Sequence, residues 1–350
     1  MAQSIKTVGV VGTGVIGASW TGLFLAHGLN VLVSDPAPGA EENLDAHLKS
    51  IWPVLERLGL SPGASLENYK FVGKSLKGHY HRVDFVQENA PERIDLKTNL
   101  IGEIDAETRP GLSVHRSVQK NPGRVLIEYP FNPPHLMPLV EIVPHPGTDP
   151  TIVQAALDFY TAMGKCSVLV KQELPGFVAN RLQAAVGNEA YSLVKRGVLS
   201  AEDLDACMTT SLGPRWAFTG PFMSNVMGGG GGRDGFKHLL GHLGPAAKAW
   251  TDDMNAHVYV YNEENLEALD KSVQKMLDDV DAQQVEAQRD DLLINFVERE
   301  EGSFSSGLDS SIQRYFTSTL ISKNGARWVI IQHIYRWFQG RLRSDMPRVL

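Results

Sequence analysis

At 350 residues the chain is long for one domain and comfortable for two. Hydrophobic residues make up 43% and charged residues 21%, so it can bury substantial cores and is not a disordered polymer. Its 40 acidic side chains against 33 basic ones give a net charge of −7, which argues against a nucleic-acid binder held by phosphate contacts. No apolar run approaches the roughly 18 residues of a membrane span. The N-terminus, Met1 to Lys6, leads straight into a strand, without a secretory signal or a myristoylation glycine. Cys166 and Cys207 supply neither a disulfide framework nor a metal knuckle. The expectation is a soluble, cytoplasmic, two-domain protein.

The first predicted element is a strand over Thr7 to Gly12, apolar and β-branched, suited to burial on both faces. Helical periodicity follows over Ala18 to Gly28, then a second apolar strand over Asn30 to Ser34, completing a βαβ unit. The pattern then predicts an amphipathic helix over Asp45 to Leu60, strands at Phe71-Val72 and Val83 to Val86, and a helix over Arg93 to Glu107. Val125 to Glu128 and Leu139 to Val143 read as strands either side of the turn Pro130-Phe131-Asn132-Pro133-Pro134. Strand and helix stop alternating around Cys166 to Val170. After Pro175-Gly176 the chain reads as helices over Val178 to Arg196, Ala201 to Thr210, Gly235 to Gly241, Pro245 to Tyr259 and Asn265 to Leu293. The five glycines Gly228 to Gly232 read as a flexible loop. The fold class is therefore α/β: an N-terminal Rossmann dinucleotide-binding domain over residues 1–172, then an all-α domain over 173–295. Residues 296–350 look appended, with seven Lys or Arg against one Asp from position 311 onward and an aromatic stretch around Trp328 to Phe338. Such a segment reads as an extra helix docked on its own protein, or as a membrane-surface contact.

Gly12-Thr13-Gly14-Val15-Ile16-Gly17 matches the G-x-G-x-x-G pattern, follows a buried strand and opens a helix. Gly12 suits the tight turn, Gly14 a close approach of pyrophosphate to backbone, and Gly17 the packing of helix on strand. The helix N-terminus favours an anion. Asp35, ending the next strand, would accept hydrogen bonds from both ribose hydroxyls and repel a 2′-phosphate. That selects NAD over NADP. His238 and His242 sit four apart but lack a third ligand, and His79 and His81 lie in a loop-like stretch, so no metal is expected.

These features resemble the 3-hydroxyacyl-CoA dehydrogenase superfamily, in the branch with lambda-crystallin (L-gulonate 3-dehydrogenase) and L-carnitine dehydrogenase. The resemblance rests on Gly12 to Gly17 with Asp35, Glu88 to Arg93, Pro130 to Pro134 with Leu139-Val140-Glu141, and Pro175 to Arg181. It covers about residues 6 to 290. It implies oxidation of an L-3-hydroxyl to a ketone, or the reverse, by hydride transfer with NAD. The implied substrate is a small 3-hydroxy acid or an acyl-CoA, and the implied assembly is a homodimer through the helical domain. By position, Glu141 matches the glutamate that orients a catalytic histidine, and Asn132 and Asn180 match two asparagines holding geometry around the substrate oxygen. Glu92 and Lys97 match residues contacting the nicotinamide side of NAD.

Two departures accompany the resemblance. Tyr129 occupies the place of the histidine, three residues before Asn132. His135 does not obviously replace it. Between Pro110 and Asn121 the family has a strand and a serine-rich turn before its substrate-binding serine. This chain reads Gly111-Leu112-Ser113-Val114-His115-Arg116-Ser117 there and is too short for all three. A phenol is ionised about one part in a thousand at pH 7, and a neighbouring carboxylate such as Glu141 disfavours phenolate. Oxidation through Tyr129 is therefore expected to be poor, and reduction less penalised. The alternative reading is a dinucleotide-binding protein without turnover. Arg124 and Arg215-Trp216 are further candidates to meet a carboxylate.

Overall fold

The computed structural model describes residues 5–91, 93–108, 123, 125–278 and 280–302. By internal contacts the chain divides into two compact units, one up to Val178 together with residues from Gln288, the other Ala179–Ala287.

In the first unit, β1 (Thr7–Val11), α1 (Val15–Ala26), β2 (Asn30–Ser34), α2 (Ala40–Leu58), β3 (Tyr69–Phe71) and β4 (Phe85–Glu88) build a parallel sheet of order β3-β2-β1-β4. The register sets Val10 beside Val33 and Gln87. β1 is apolar along its length because both faces are covered: Val8 and Val10 pack with Trp20 and Phe24, while Val11 packs with Ile101 and Ile104. α2 starts earlier than its periodicity predicts. Its buried stripe of Leu44, Leu48, Ile51 and Leu55 extends back to Ala40, and Glu41 and Glu42 suit the positive end of the helix dipole.

After α3 (Ile94–Glu107), a second sheet holds β5 (Leu126–Pro130), β6 (Leu139–Pro144) and β7 (Cys166–Leu169). β5 and β6 are antiparallel, and β6 and β7 parallel. The antiparallel pair departs from an all-parallel domain because the connecting turn, 131–138, is too short for a crossover. β7 is reached through α4 (Pro150–Ala162), a helix absent from the sequence reading. Asp149 caps it by accepting from Thr151 N–H at 2.8 Å, and Pro150 occupies its first turn. Trp20, Phe24, Phe159 and Tyr160 join the two sheets in one core, with Trp20 and Tyr160 ring centroids 5.2 Å apart. Each such side chain contributes on the order of 1.5–3 kcal/mol by burial.

The second unit is helical: α5 (Ala179–Lys195), α6 (Ala201–Cys207), α7 (Gly213–Gly228), α8 (Gly235–Ala256) and α9 (Glu263–Leu277), followed by α10 (Ala282–Gly302), which runs back into the first unit. Two expectations are corrected here. Gly235 to Gly241 and Pro245 to Tyr259 are one helix; the carbonyl that the Pro245 ring crowds belongs to Gly241, which leaves it room. The single helix expected over Asn265 to Leu293 is two, because Asp281 starts a new one by accepting from Gln284 N–H at 3.2 Å. The glycine run, expected as a loop, is a turn between α7 and α8: a Cβ on Gly229 would lie 1.8 Å from the Gly235 carbonyl oxygen, whereas at Gly230, Gly231 and Gly232 it would meet nothing within 4 Å. The expected loss of a strand near 111–118, Arg124, and the appended segment from 303 onward all lie outside the described residues.

Candidate active site

Gly12, Thr13 and Gly14 turn the chain from β1 into α1. Gly12 has φ +90°, and a Cβ there would lie 2.9 Å from the carbonyl oxygen of Asn89, so both conformation and space require glycine. A Cβ on Gly17 would come within 1.9 Å of the Gly12 carbonyl oxygen. Gly14 is different. Its φ of −59° suits any residue, and a Cβ there meets nothing within 4 Å. Nothing inside the protein asks for glycine at this position, whereas a group approaching the backbone does. The N-terminus of α1 carries no side-chain cap and no acidic residue in its first turn, which leaves its N–H groups to an anion. A dinucleotide pyrophosphate fits this cradle.

Asp35 follows β2 directly. Its Oδ2 accepts from Thr13 N–H at 2.6 Å and Thr13 Oγ1–H at 2.9 Å, and its Oδ1 accepts from Ala37 N–H at 2.8 Å. Burial alone would raise its pKa, but the hydrogen bonds from Ala37 and Thr13 outweigh it and hold the carboxyl below the usual range. The carboxylate is thus a fixed anion braced against the glycine turn. Each oxygen keeps lone-pair capacity for a hydroxyl.

The end of β4 gives a structural role to a residue that the sequence offers only as part of the motif Glu88 to Arg93. Glu88 is buried, its Oε1 accepts from Ala90 N–H, and its Oε2 lies 3.1 Å from Lys97 Nζ, itself buried on α3. Lys97 is therefore held by an ion pair inside the unit, where loss of one partner costs roughly 3–5 kcal/mol. An acid at the end of a strand whose residues are all buried is the signal for it. Glu92 lies outside the described residues.

The second sheet carries the acid–base candidates. Tyr129, near the end of β5, stands opposite Glu141 of β6, so both side chains share one face of the antiparallel pair. Glu141 is 2% exposed and Tyr129 is 36% exposed, which sets a buried carboxylate beside a solvent-reachable phenol. Glu141 Oε1 accepts from Val178 N–H at 2.9 Å. The Tyr129 ring packs on Phe177, centroids 5.2 Å apart. Phe177 has φ +49°, a conformation unfavourable for a non-glycine residue. Asn132 is exposed in the turn after β5.

His135 sits three residues beyond Asn132 but faces the core. Its Nδ1 lies 3.2 Å from Ser19 Oγ of α1, and burial, with the nearby His47 and Lys165, pushes its pKa down to about 4. An imidazole so placed is a weak base near neutral pH. Asn180 lies in the first turn of α5, and Arg215 and Trp216 lie on α7, all in the second unit. No group of three or more His, Cys, Asp or Glu placed to hold a metal occurs among the described residues.

Residues 7–173 match the 3-hydroxyacyl-CoA dehydrogenase NAD binding domain, and residues 176–271 match the 3-hydroxyacyl-CoA dehydrogenase C-terminal domain. The chain belongs to the 3-hydroxyacyl-CoA dehydrogenase family. It is 45% identical over 309 residues to a 3-hydroxyacyl-CoA dehydrogenase of Gibberella moniliformis, covering 85% of this chain and 95% of that one. An L-carnitine dehydrogenase of Nocardiopsis dassonvillei is 42% identical over 261 residues, covering 71% and 78% of the two chains. Among solved structures, 5-formyl-3-hydroxy-2-methylpyridine 4-carboxylic acid 5-dehydrogenase, an NAD+-dependent dismutase, superposes with a TM-score of 0.65 at 26% identity over 84% of this chain and 97% of that one. The chain is accordingly an NAD-dependent oxidoreductase of the 3-hydroxy acid dehydrogenase type. No helix among the described residues is long and apolar enough to cross a membrane.

Proposed function

We propose that the chain interconverts an L-3-hydroxyl and a 3-ketone on a small acid or its CoA thioester, with Tyr129 moving the proton. The nicotinamide supplies hydride exchange with the 3-carbon when NAD is bound. Gly12, Gly14 and Gly17 would hold its pyrophosphate, Asp35 its ribose, and Glu92 and Lys97 its nicotinamide side. Tyr129 O–H donates to the developing alkoxide in reduction, Glu141 fixes the local geometry, and Asn132 holds the substrate oxygen. The observation that carries this assignment is the pairing of exposed Tyr129 with buried Glu141 across β5 and β6.

A phenol is a competent acid toward an alkoxide, so removing its O–H tests the assignment. Tyr129→Phe keeps the ring on Phe177 and should lower turnover of 3-hydroxy acids or 3-hydroxyacyl-CoA by about a hundredfold or more, with NAD affinity unchanged. Undiminished turnover in Tyr129→Phe would assign the proton to another group.

The proposal places cofactor binding in residues 1–172 and substrate binding with dimerisation in 173–295. The helical unit supports a homodimer. Among its described residues Tyr259 is the single buried large apolar side chain, while Leu182, Phe222, Trp250, Tyr261 and Leu266 are 60–74% exposed. A unit with so little core of its own is stabilised by a second copy. Sedimentation at micromolar concentration tests this, and a monomer would count against it. Cytoplasmic residence completes the reading, since two cysteines in 350 residues supply no disulfide framework.

A further inference from the structure

We infer that Lys165 fixes the turn carrying Asn132 against α1, and so acts as a positioning residue for the reaction. The catalytic half of this inference rests on the reading that Asn132 meets the substrate oxygen. Lys165 lies between α4 and β7 and is 4% exposed. Its own N–H donates to the Tyr160 carbonyl at 2.9 Å, and the next N–H, of Cys166, donates to Pro138 at 2.8 Å. Its side chain runs inward, where Nζ donates to the carbonyl oxygens of Pro134 and, at 3.2 Å, Met137. Those carbonyls bracket the turn after Asn132-Pro133, within which Leu136 and Met137 N–H groups donate to Pro133 at 3.0 and 2.9 Å.

The same turn is tied to α1 from its other side. His135 Nδ1 lies 3.2 Å from Ser19 Oγ, which lies 3.4 Å from His47 Nε2. The adjacent Trp20 presents its ring to Lys165 Nζ at 5.9 Å from the centroid. The helix that opens on the cradle glycines therefore also carries the residues against which the Asn132 turn is held. Burying a lysine is costly, and an apolar side chain would suit this pocket better unless the N–H donors serve a purpose. Burial also pushes the Lys165 pKa down to about 7, and both the ammonium and the amine present N–H donors to the two carbonyls.

Lys165→Met fills similar volume without a donor and removes the desolvation cost, so the fold is retained. In the full chain, hydrogen exchange of the Leu136 and Met137 amides should quicken at least about tenfold, with amides of α1 and β2 unchanged. Lys165→Gln keeps an amide NH2 donor on a shorter stem and is the second variant, with intermediate exchange. Affinity for NAD should stay the same in both variants, while kcat falls about tenfold and KM for NAD does not move. Unchanged exchange over 131–138 in a folded variant would overturn the inference. Faster exchange with undiminished kcat would overturn its catalytic half. Absence of turnover in the parent chain would instead sink the proposed function, and exchange alone would then decide whether Lys165 holds the turn.

Discussion

Glu141 Oε1 accepts a hydrogen bond from the backbone N–H of Val178 at 2.9 Å, joining the middle of β6 to the segment where the first unit ends. The chain reaches that contact through Gly176 and Phe177, both with positive φ, at +76° and +49°. For phenylalanine this conformation costs on the order of 1–3 kcal/mol and persists where its surroundings over-determine it. Here the Glu141 carboxylate holds one side and the Tyr129 ring the other. One carboxylate thus organises both the turn and the face on which the phenol stands.

Removing that acceptor should loosen the segment. Glu141→Ala is expected to cost roughly 1–3 kcal/mol, since the Val178 N–H loses a charge-assisted bond. Glu141→Gln keeps an acceptor of the same length and should cost less than half as much. Urea midpoints at constant slope would check the order of the two. Equal losses would show that the bond to Val178 is not what Glu141 contributes to stability.

The glycines of the cradle should separate folding from binding. At Gly17 a Cβ meets the Gly12 carbonyl oxygen at 1.9 Å, so Gly17→Ala must distort the turn and is expected to destabilise the first unit by several kcal/mol. At Gly14 a Cβ meets only open space, so Gly14→Leu should leave the melting temperature nearly unchanged. It should weaken NAD binding about a hundredfold or more, because the side chain fills the room that a pyrophosphate needs. Calorimetric titration with NAD, paired with thermal melts of both variants, tests the contrast. NAD binding to Gly14→Leu at parent affinity would refute the cradle assignment.

The cofactor end of the fold was legible because its constraints are local. Gly12 and Gly17 each answer to a short-range steric demand, Gly14 leaves its backbone open to a ligand, and β2 at Asn30–Ser34 follows from a run of buried apolar residues. The pairing of Tyr129 with Glu141 was legible through the spacing of a motif. Ser19, His135 and Lys165 were not, since a polar residue in a helix, a turn or a strand edge looks alike whether it faces water or the core. Their roles arise only when α1, the 131–138 turn and the start of β7 meet. α4 was missed for a different reason. Asp149-Pro150 is a local start signal, and it lay unread between two strands.

Acid should unfold the first unit partly through His135. Its folded pKa of about 4 lies below the unfolded value of 6.5, so the unfolded chain binds more protons across that interval. Stability from this group is present above pH 6.5 and lost as pH falls toward 4, by on the order of 3 kcal/mol at most. His135→Gln retains a partner for Ser19 without titrating there, and should flatten the stability–pH curve between 6.5 and 4. Urea unfolding of parent and variant across that range gives the difference. Parallel curves would mean that His135 protonates without strain.

Replacing Tyr129 with histidine should raise oxidation of a 3-hydroxy substrate. The register of β5 on β6 puts position 129 directly opposite Glu141, so a new imidazole would sit beside a buried carboxylate that favours its protonated form. General acid–base catalysis is worth roughly 100- to 10,000-fold, and an imidazole operates near neutral pH where a phenol does not. The gain from Tyr129→His alone should fall short of that range, about tenfold to a hundredfold, because the Tyr129 ring also packs on Phe177 and a smaller ring leaves that contact incomplete. Grafting back the serine-rich segment between Pro110 and Asn121 should add a second gain, by orienting the substrate oxygen. If both changes leave NAD bound and turnover still undetectable, Tyr129 is not the group that limits chemistry, and a dinucleotide-binding role without hydride transfer becomes the better account of the chain.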